Sequence, residues 1–110
     1  MIRAARLRRS RDIAAVQNTG RAVRRSAFVA RIRPNDLPGI RIAVTASRSI
    51  GTAVVRNRAR RRVREAFRHE LARTSRTGID VLVAVRPEAV AAPFAALRAD
   101  VAGLLREGAE

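Results

Sequence analysis

The sequence of 110 residues has no cysteine, no lysine, no tryptophan and no tyrosine, and it has only three phenylalanines and one histidine. Without cysteine, the chain can form neither a disulfide framework nor a thiolate metal site, which suits a reducing compartment. No apolar run approaches the roughly 20 residues that span a bilayer. The first eleven residues hold five arginines, but no apolar segment follows them as in a signal peptide. These absences predict a cytoplasmic protein that does not enter a membrane.

The sequence is also poor in the groups from which a catalytic site is built. Its single histidine, His69, lies in an arginine-rich stretch, where contact with solvent or phosphate is the more common role. The nine acidic residues are scattered, and none forms the pairs used for acid–base catalysis or metal binding. Neither a serine-nucleophile motif nor a phosphate-binding glycine loop occurs. We therefore predict no catalytic residue in this chain, and metal binding by the protein stays open.

Positive charge is what the sequence has in excess. Its 24 basic residues are all arginine and give a net charge of +15 at pH 7, while 47% of the residues are apolar. That apolar content is sufficient for a folded domain. Arginine holds phosphate through two hydrogen bonds and stacks on bases, so the excess favours a nucleic-acid partner. A GC-rich genome is an alternative explanation for the missing lysine, but not for the net charge.

The charge is concentrated in one predicted helix. Thr52 can cap this helix after Gly51, and no residue from 53 to 73 interrupts it. At about 100° per residue, its apolar side chains share one face. They are Val55, Ala59, Val63, Ala66, Phe67 and Leu71. The helix carries too few glutamates to neutralise its arginines, so it requires an external polyanion along the other face. Gly51 either favours a phosphate at the helix start or is a plain turn residue.

Short elements precede this helix. Residues 1–10 are predicted to be a flexible basic arm, either solvated or ordered on RNA, of a single domain that spans residues 1–110. A short helix follows over residues 12–20, with Ser10 as its candidate cap and Gly20 as its end. The small apolar side of this helix has to lie against another element.

The remaining segments predict a sheet and a last helix. Residues 24–33 and 40–47 alternate with a period of two, as in strands with one buried face. Turn residues fill the segment 34–39 between them, so the second strand is expected to return antiparallel. Residues 79–85 are nearly all apolar, as in a strand inside a sheet. A helix that begins near Pro93 presents an apolar face to the core.

The arginine-rich helix and the residues before it resemble the protein subunit of bacterial ribonuclease P. The mark of this family is an Arg-Asn-Arg triplet that opens a basic helix, and here it is Arg56, Asn57 and Arg58. An Ile-Gly-x-Ala-Val approach precedes the triplet, and the run from Arg60-Arg61 to Arg64-Glu65-Ala66-Phe67 follows it. Length and element order agree over nearly the whole chain, which makes the resemblance specific.

The resemblance implies a fold and a function. The fold is α+β, a single domain with a mixed four-stranded sheet and three helices in the order α-β-β-β-α-β-α, like the second domain of ribosomal protein S5. The strands around the basic helix form a left-handed crossover in this family, against the general right-handed preference. In ribonuclease P the RNA subunit, with bound magnesium, hydrolyses precursor tRNA and releases the 5′ leader. The protein subunit assists by binding the catalytic RNA and the leader.

The resemblance also implies which residues bind RNA. Contacts with the catalytic RNA fall on Arg56, Asn57, Arg58, Arg60, Arg61, Arg64 and Arg68, unless some of these side chains are only solvated. Arg62 stands where the family usually has an apolar residue, which leaves its direction open. The leader-binding cleft comprises Ile13, Val16 and Gln17 from the first helix, and Val29, Arg31, Ala43, Thr45 and Ser47 from the sheet. The alternative is that this cleft is only a core seam under the first helix.

The cleft departs from that of many family members, because Ile13, Gln17 and Arg31 stand in place of aromatic rings. Stacking on aromatic rings is worth about 1–3 kcal/mol per base. We therefore expect phosphate contacts and stacking on Arg31 to hold the leader. The expected partners are the catalytic RNA and precursor tRNA, without a membrane and with the protein as a monomer in the holoenzyme. No cofactor is expected on the protein alone, and magnesium is expected to be held mainly by RNA.

Other functions stay open. A structural RNA-binding protein of the ribosomal type would have similar charge and fold without promoting tRNA cleavage. A DNA-binding module is less favoured, because no partner helix of a helix-turn-helix precedes the basic helix. A protein nuclease that acts alone is least favoured, because the catalytic groups are missing.

Overall fold

A computed structural model describes residues 4–107 of the chain. Its strands are β1 (Ala4–Arg6), β2 (Arg21–Arg24), β3 (Phe28–Pro34), β4 (Ile40–Thr45) and β5 (Ile79–Val85). Its helices are α1 (Ser10–Thr19), α2 (Ala53–Leu71) and α3 (Phe94–Glu107). The predicted α+β architecture with three helices and a mixed sheet is confirmed. The predicted count of four strands is wrong, because the sheet has five.

The additional strand, β1, lies in the segment predicted to be a flexible arm. Residues 4–6 pair in parallel with β4, and the Leu7 amide donates to the Ile42 carbonyl oxygen at 2.9 Å. The Leu7 side chain is buried. The arm prediction is therefore wrong for residues 4–10, because the open edge of β4 and a small apolar cluster fix them; residues 1–3 lie outside the described part. A strand of three residues is too short to show alternation.

The strand order in the sheet is β1-β4-β5-β3-β2. β4 pairs in parallel with β5, while β5 pairs antiparallel with β3 and β3 antiparallel with β2. β4 thus runs antiparallel to β3, as predicted, but β5 lies between them. The predicted apolar segment 79–85 is indeed a strand inside the sheet, since it has neighbours on both sides.

The two faces of the sheet carry different helices. Alternate residues of β3 and β4, including Phe28 and Ile40, are buried against α2 and α3. Phe28 and Phe67 of α2 lie with ring centroids 6.2 Å apart in this main core. α1 packs on the opposite face, where Val16 contributes to a second, smaller cluster. The sheet therefore separates α1 from α2 and α3.

The ends of the helices follow local chemistry. The Thr52 hydroxyl accepts from the Val55 amide at 3.3 Å, so the predicted cap of α2 is confirmed. Gly51 has φ of 147°, a conformation that side chains rarely adopt, and this explains the glycine as a backbone requirement. Gly20 ends α1 as predicted. Ser10 is not a cap, because α1 already begins at Ser10 and no side chain caps it.

α2 connects the parallel neighbours β4 and β5, which makes the predicted crossover. Its left-handed sense and the likeness to the second domain of ribosomal protein S5 stay predictions. In the range 4–107, no helix is both long and apolar enough to cross a bilayer.

Candidate nucleic-acid interface

The side of α2 that faces away from the core presents free guanidinium groups. Within residues 4–107, the side chains of Arg56, Arg58, Arg61 and Arg64 have neither a hydrogen bond nor an ion pair with the protein. Arg56 is half-buried, and the other three are exposed. Each guanidinium offers a planar fork of donors that matches phosphate. This surface is therefore suited to a polyanion.

Two further residues of this surface are oriented by their neighbours. Arg60 donates to the side-chain oxygen of Asn57 one turn before it. Arg68 is paired with Glu65, and its Nε lies 3.0 Å from Oε1 of that carboxylate. The hydrogen bond from Arg68 holds the pKa of Glu65 below its usual range. Glu65 therefore stays ionised in mild acid and keeps one negative charge within the basic surface.

Changing Glu65 to glutamine is expected to tighten RNA binding roughly two- to fivefold, because it removes a repulsive charge and frees Arg68. The measurement is the affinity for labelled catalytic RNA at fixed, low salt. Glu88→Gln is the matched control, since Glu88 is similarly exposed, pairs with Arg86 and lies outside α2. Equal gains from both variants would mean that only net charge matters.

The structure shows where the Arg62 side chain points, and it gives this residue a structural role. Its Nη1 donates to the carbonyl oxygens of Ala89 at 2.9 Å and Val90 at 3.0 Å, and its Nη2 donates to that of Ala92. These carbonyls belong to the connection between β5 and α3. Arg62 thus fastens this connection to α2, and its guanidinium is not available to RNA in the same way as its neighbours.

Arg6 of β1, in the segment predicted to be a basic arm, adds a charge near α2. The register of β1 places it opposite Ile42, whose side chain faces α2. Partial burial, and then the nearby charges of Arg6 and Arg60, lower the pKa of Arg64. Three guanidinium groups that repel one another would be relieved by a bound anion. β1 thereby widens the basic surface of α2.

The opposite face of the sheet is open beside α1. The register places Thr45, Ala84, Val29 and Arg24 side by side across four strands. All but the half-buried Val29 are exposed. This row of small and polar side chains forms a shallow floor. This floor suits a single strand of nucleic acid, but it has no aromatic ring.

α1 forms one wall of this open region. Ile13 is half-buried and Gln17 is exposed, while Ile13 and Ala43 of β4 both pack against the smaller apolar cluster. Val16 is fully buried with Leu82, so the prediction that its side chain lines the cleft is wrong. Its apolar side chain is what attaches α1 to the sheet. The burial of Val16 agrees with the alternative in which this part is a core seam under α1.

Arg31 and Ser47 were also predicted to line the cleft. In the structure, Arg31 is hydrogen-bonded to the end of α1, and Ser47 lies beyond the end of β4. The Arg31 Nη1 donates to the Gly20 carbonyl oxygen at 3.2 Å, at the C-terminal end of α1 where a positive charge is favourable. Arg31 remains half-buried, with further donors free to bind. Ser47 is exposed beyond the end of β4, and its hydroxyl lies 2.7 Å from that of Ser49. It lies at the margin of the open region.

Two residues of the open face were not predicted. Ala84 lies between Val29 and Thr45, and the period of two in β5 would have found it, because Asp80, Leu82 and Ala84 share a face. Arg24 requires the register between β2 and β3, which no pattern within one segment contains.

A buried ion pair fixes the other end of α1. Asp80 of β5 is 4% exposed and accepts from Arg41 of β4 through Nε at 2.7 Å and Nη2 at 2.6 Å. The Asn35 amide donates to the same carboxylate at 2.9 Å. Arg41 also reaches Asp12 of α1 at 3.3 Å. The hydrogen bond to Asp80 raises the pKa of Arg41. We call Asp80, Arg41 and Asp12 the α1 clamp.

The acidic residues of the described part are almost all engaged. Besides the clamp, Glu65, Glu70, Glu88 and Glu107 pair with arginines, and Asp100 accepts from the Ala27 amide at 3.0 Å. No group of three or more metal-ligating side chains occurs between residues 4 and 107.

Comparison with known proteins agrees with this geometry. The family model described as Ribonuclease P matches residues 1–108. The ribonuclease P protein component of Chloroflexus aggregans is 44% identical over 108 residues, which cover 97% of this chain and 79% of that protein. That of Acidothermus cellulolyticus is 39% identical over 102 residues, or 91% of this chain and 84% of that protein.

Solved structures agree as well. The RNase P protein from Thermotoga maritima superposes with a TM-score of 0.81 and 28% identity, over 93% of this chain and 96% of that chain. The RNase P protein of Staphylococcus aureus shares the fold, with a TM-score of 0.79 and 22% identity over 97% of each chain. The basic helix, the sheet and these relatives together show that this chain belongs to the ribonuclease P protein family.

Proposed function

We propose that this ribonuclease P protein component assists a catalytic RNA in removing the 5′ leader of precursor tRNA by binding both RNAs. The proposal rests mainly on a difference between the acidic and the basic groups in how far they are engaged within the protein. The described acidic groups are mostly engaged within the protein, whereas four arginines of α2 have no partner among residues 4–107. Such a surface favours binding of polyanions over hydrolysis by the protein itself.

The catalytic RNA lies along the outward side of α2 in this proposal. Arg56, Arg58 and Arg61 bind its phosphates, and Asn57 orients Arg60 toward them. Arg64 and Arg68 extend the contact toward the end of the helix. A basic face about 19 residues long spans roughly 28 Å, since a helix rises 1.5 Å per residue.

The leader occupies the opposite face of the sheet. Its bases lie on the floor formed by Val29, Ala84 and Thr45, beside Ile13 and Gln17 of α1. Arg24 and Arg31 contact its phosphates. Since no aromatic ring is present on this floor, electrostatic contacts contribute more than stacking.

Magnesium belongs to the RNA in this proposal. A bound divalent ion supplies an activated water and stabilises charge on the phosphate. The described side chains do not suit it, because their carboxylates are tied to arginines and amides. In this proposal the protein acts by binding and positioning RNA. It does so in the cytoplasm and as one copy per holoenzyme.

The test is multiple-turnover cleavage of a precursor tRNA by the cognate catalytic RNA at low, near-physiological magnesium. We expect the protein to restore cleavage at the 5′ end of the mature tRNA. Tight RNA binding without a change in rate would instead identify a structural RNA-binding protein of the ribosomal type. Metal-dependent cutting by the protein alone would identify a nuclease.

The leader face has its own prediction. The advantage of precursor tRNA over mature tRNA in binding to the holoenzyme should fall about tenfold between 50 and 200 mM salt, as expected for two to three phosphate contacts with a single strand. The measurement is the ratio of the two affinities at each salt concentration. Mature tRNA is the internal control, and a ratio that hardly changes with salt would contradict electrostatic holding of the leader.

A further inference from the structure

Aromatic side chains reach the surface of this protein at one place in the described part. Phe28 and Phe67 are 0% and 2% exposed, and tyrosine and tryptophan do not occur. The third phenylalanine, Phe94, is half-buried at the start of α3. The single histidine contacts it: the His69 and Phe94 rings meet edge to face, with centroids 5.5 Å apart.

Phe94, at the start of α3, lines a shallow concavity of about 630 Å³ together with residues of α2. Its lining comprises Arg61, Arg62, Arg64, Glu65, Arg68 and Phe94. The volume falls within the roughly 300–1,000 Å³ that small-molecule sites occupy. We call this feature the Phe94 concavity.

The groups around Phe94 differ in what they can bind. Arg62 is committed to backbone carbonyls, and Glu65 to Arg68 and His69. Arg61 and Arg64 have no partner within residues 4–107. An apolar ring with free guanidinium groups at its rim is the arrangement that takes a nucleotide, because the ring stacks on the base and arginine holds the phosphate.

Resting on the function proposed above, we propose that the Phe94 concavity binds an unpaired nucleobase of the catalytic RNA. The catalytic RNA is the occupant because the concavity is continuous with the free arginines of α2. The leader cannot fill it, since the open face for the leader lies on the other side of the sheet, with α1. The described part of the protein therefore offers an aromatic ring for stacking on the side of the catalytic RNA and none on the side of the leader.

The chain offers a direct test because it contains no tryptophan. Phe94→Trp places a single indole in the concavity, and a base stacked on it quenches its fluorescence and shields it from acrylamide. We expect both effects at saturating catalytic RNA, and neither with precursor tRNA alone. Leu37→Trp is the control, because Leu37 is 44% exposed in the turn between β3 and β4, outside the lining.

A second variant measures the contribution to affinity. Phe94→Leu keeps an apolar side chain against the core but removes the ring, and we expect binding to the catalytic RNA to weaken at least about fivefold. Circular dichroism and the thermal midpoint establish that each variant is folded. Unchanged fluorescence of Phe94→Trp at saturation, or equal affinity of Phe94→Leu and the natural protein, would overturn the inference.

The two proposals fail separately. If the natural protein does not stimulate cleavage, the proposed function is wrong whatever Phe94 does. If it stimulates cleavage while the indole at position 94 neither quenches nor becomes shielded, only the nucleobase site is wrong. Quenching by precursor tRNA alone would also overturn it, because the occupant would then be the substrate.

Discussion

Replacing Arg56 and Arg58 together with alanine is expected to weaken binding to the catalytic RNA roughly 30- to 1,000-fold. Both side chains lack a protein partner in the described part of the chain, so their loss should remove the proposed RNA contacts and leave the contacts within the protein in place. Hydrogen bonds to charged groups contribute about 1.5–3 kcal/mol each, and two of them give about 2–4 kcal/mol after partial compensation by neighbouring arginines. The measurement is fluorescence anisotropy of labelled catalytic RNA.

The same titration at several salt concentrations separates contact from general charge. Two lost phosphate contacts should reduce the slope of log affinity against log salt by about 2. Arg33→Ala with Arg106→Ala is the matched control, since both are exposed arginines outside α2 and the net charge changes equally. If that control loses as much affinity as the test variant, α2 has no special role.

Changing Arg41 to methionine is expected to destabilise the protein by about 3 kcal/mol. The α1 clamp would then lose its cation, and the carboxylate of Asp80, which is 4% exposed, would keep only Asn35 as a side-chain partner. Removing one partner of a buried ion pair lowers the stability more than replacing the whole pair would, because the remaining charge is left uncompensated. Urea unfolding measures the effect, and thermal unfolding should show a decrease of roughly 10–20 °C in the midpoint.

Two variants control this experiment. Arg33→Met removes an exposed arginine opposite the same Asp80 on the neighbouring strand, and it should change the stability little. Adding Asp80→Asn to Arg41→Met should recover part of the loss, because the uncompensated charge disappears. Without such recovery, the stabilisation by Arg41 would come from its packing rather than from the ion pair.

The α1 clamp also connects stability to the open face of the sheet, where we propose that the leader binds. Arg41 holds Asp12 near the start of α1, and Arg31 holds the Gly20 carbonyl at its end. The negative charge of Asp12 and the positive charge of Arg31 both agree with the helix dipole, which favours an acidic first turn and a cation at the last carbonyls. The position of α1 beside the open face of the sheet therefore depends on two arginines of the sheet.

The local elements were largely predictable. The cap at Thr52, the length and apolar face of α2, the buried strand at residues 79–85 and the end of α1 at Gly20 follow from spacing and backbone chemistry. The basic face of α2 follows from the same helical period. These features depend on residues within one or two turns of each other, which a sequence displays directly.

Other features required the assembled fold. β1 is stabilised by the edge of β4, which is distant in sequence, and Arg62 is turned inward by carbonyls almost 30 residues later. Val16 looks like part of a cleft until α1 is placed on Leu82. The insertion of β5 between β3 and β4 created the floor at Ala84, because it aligned three strands that no short-range pattern relates.

The sequence by itself thus determined that the chain has an arginine-rich amphipathic helix, a sheet with one apolar face and few groups for catalysis. These depend on composition and periodicity, which are local. Only the tertiary structure decided which arginines are free, which carboxylates are neutralised and where the half-buried Phe94 reaches the surface. Those properties depend on partners brought together by long-range packing, since a charge is available for binding only if no other part of the chain already holds it.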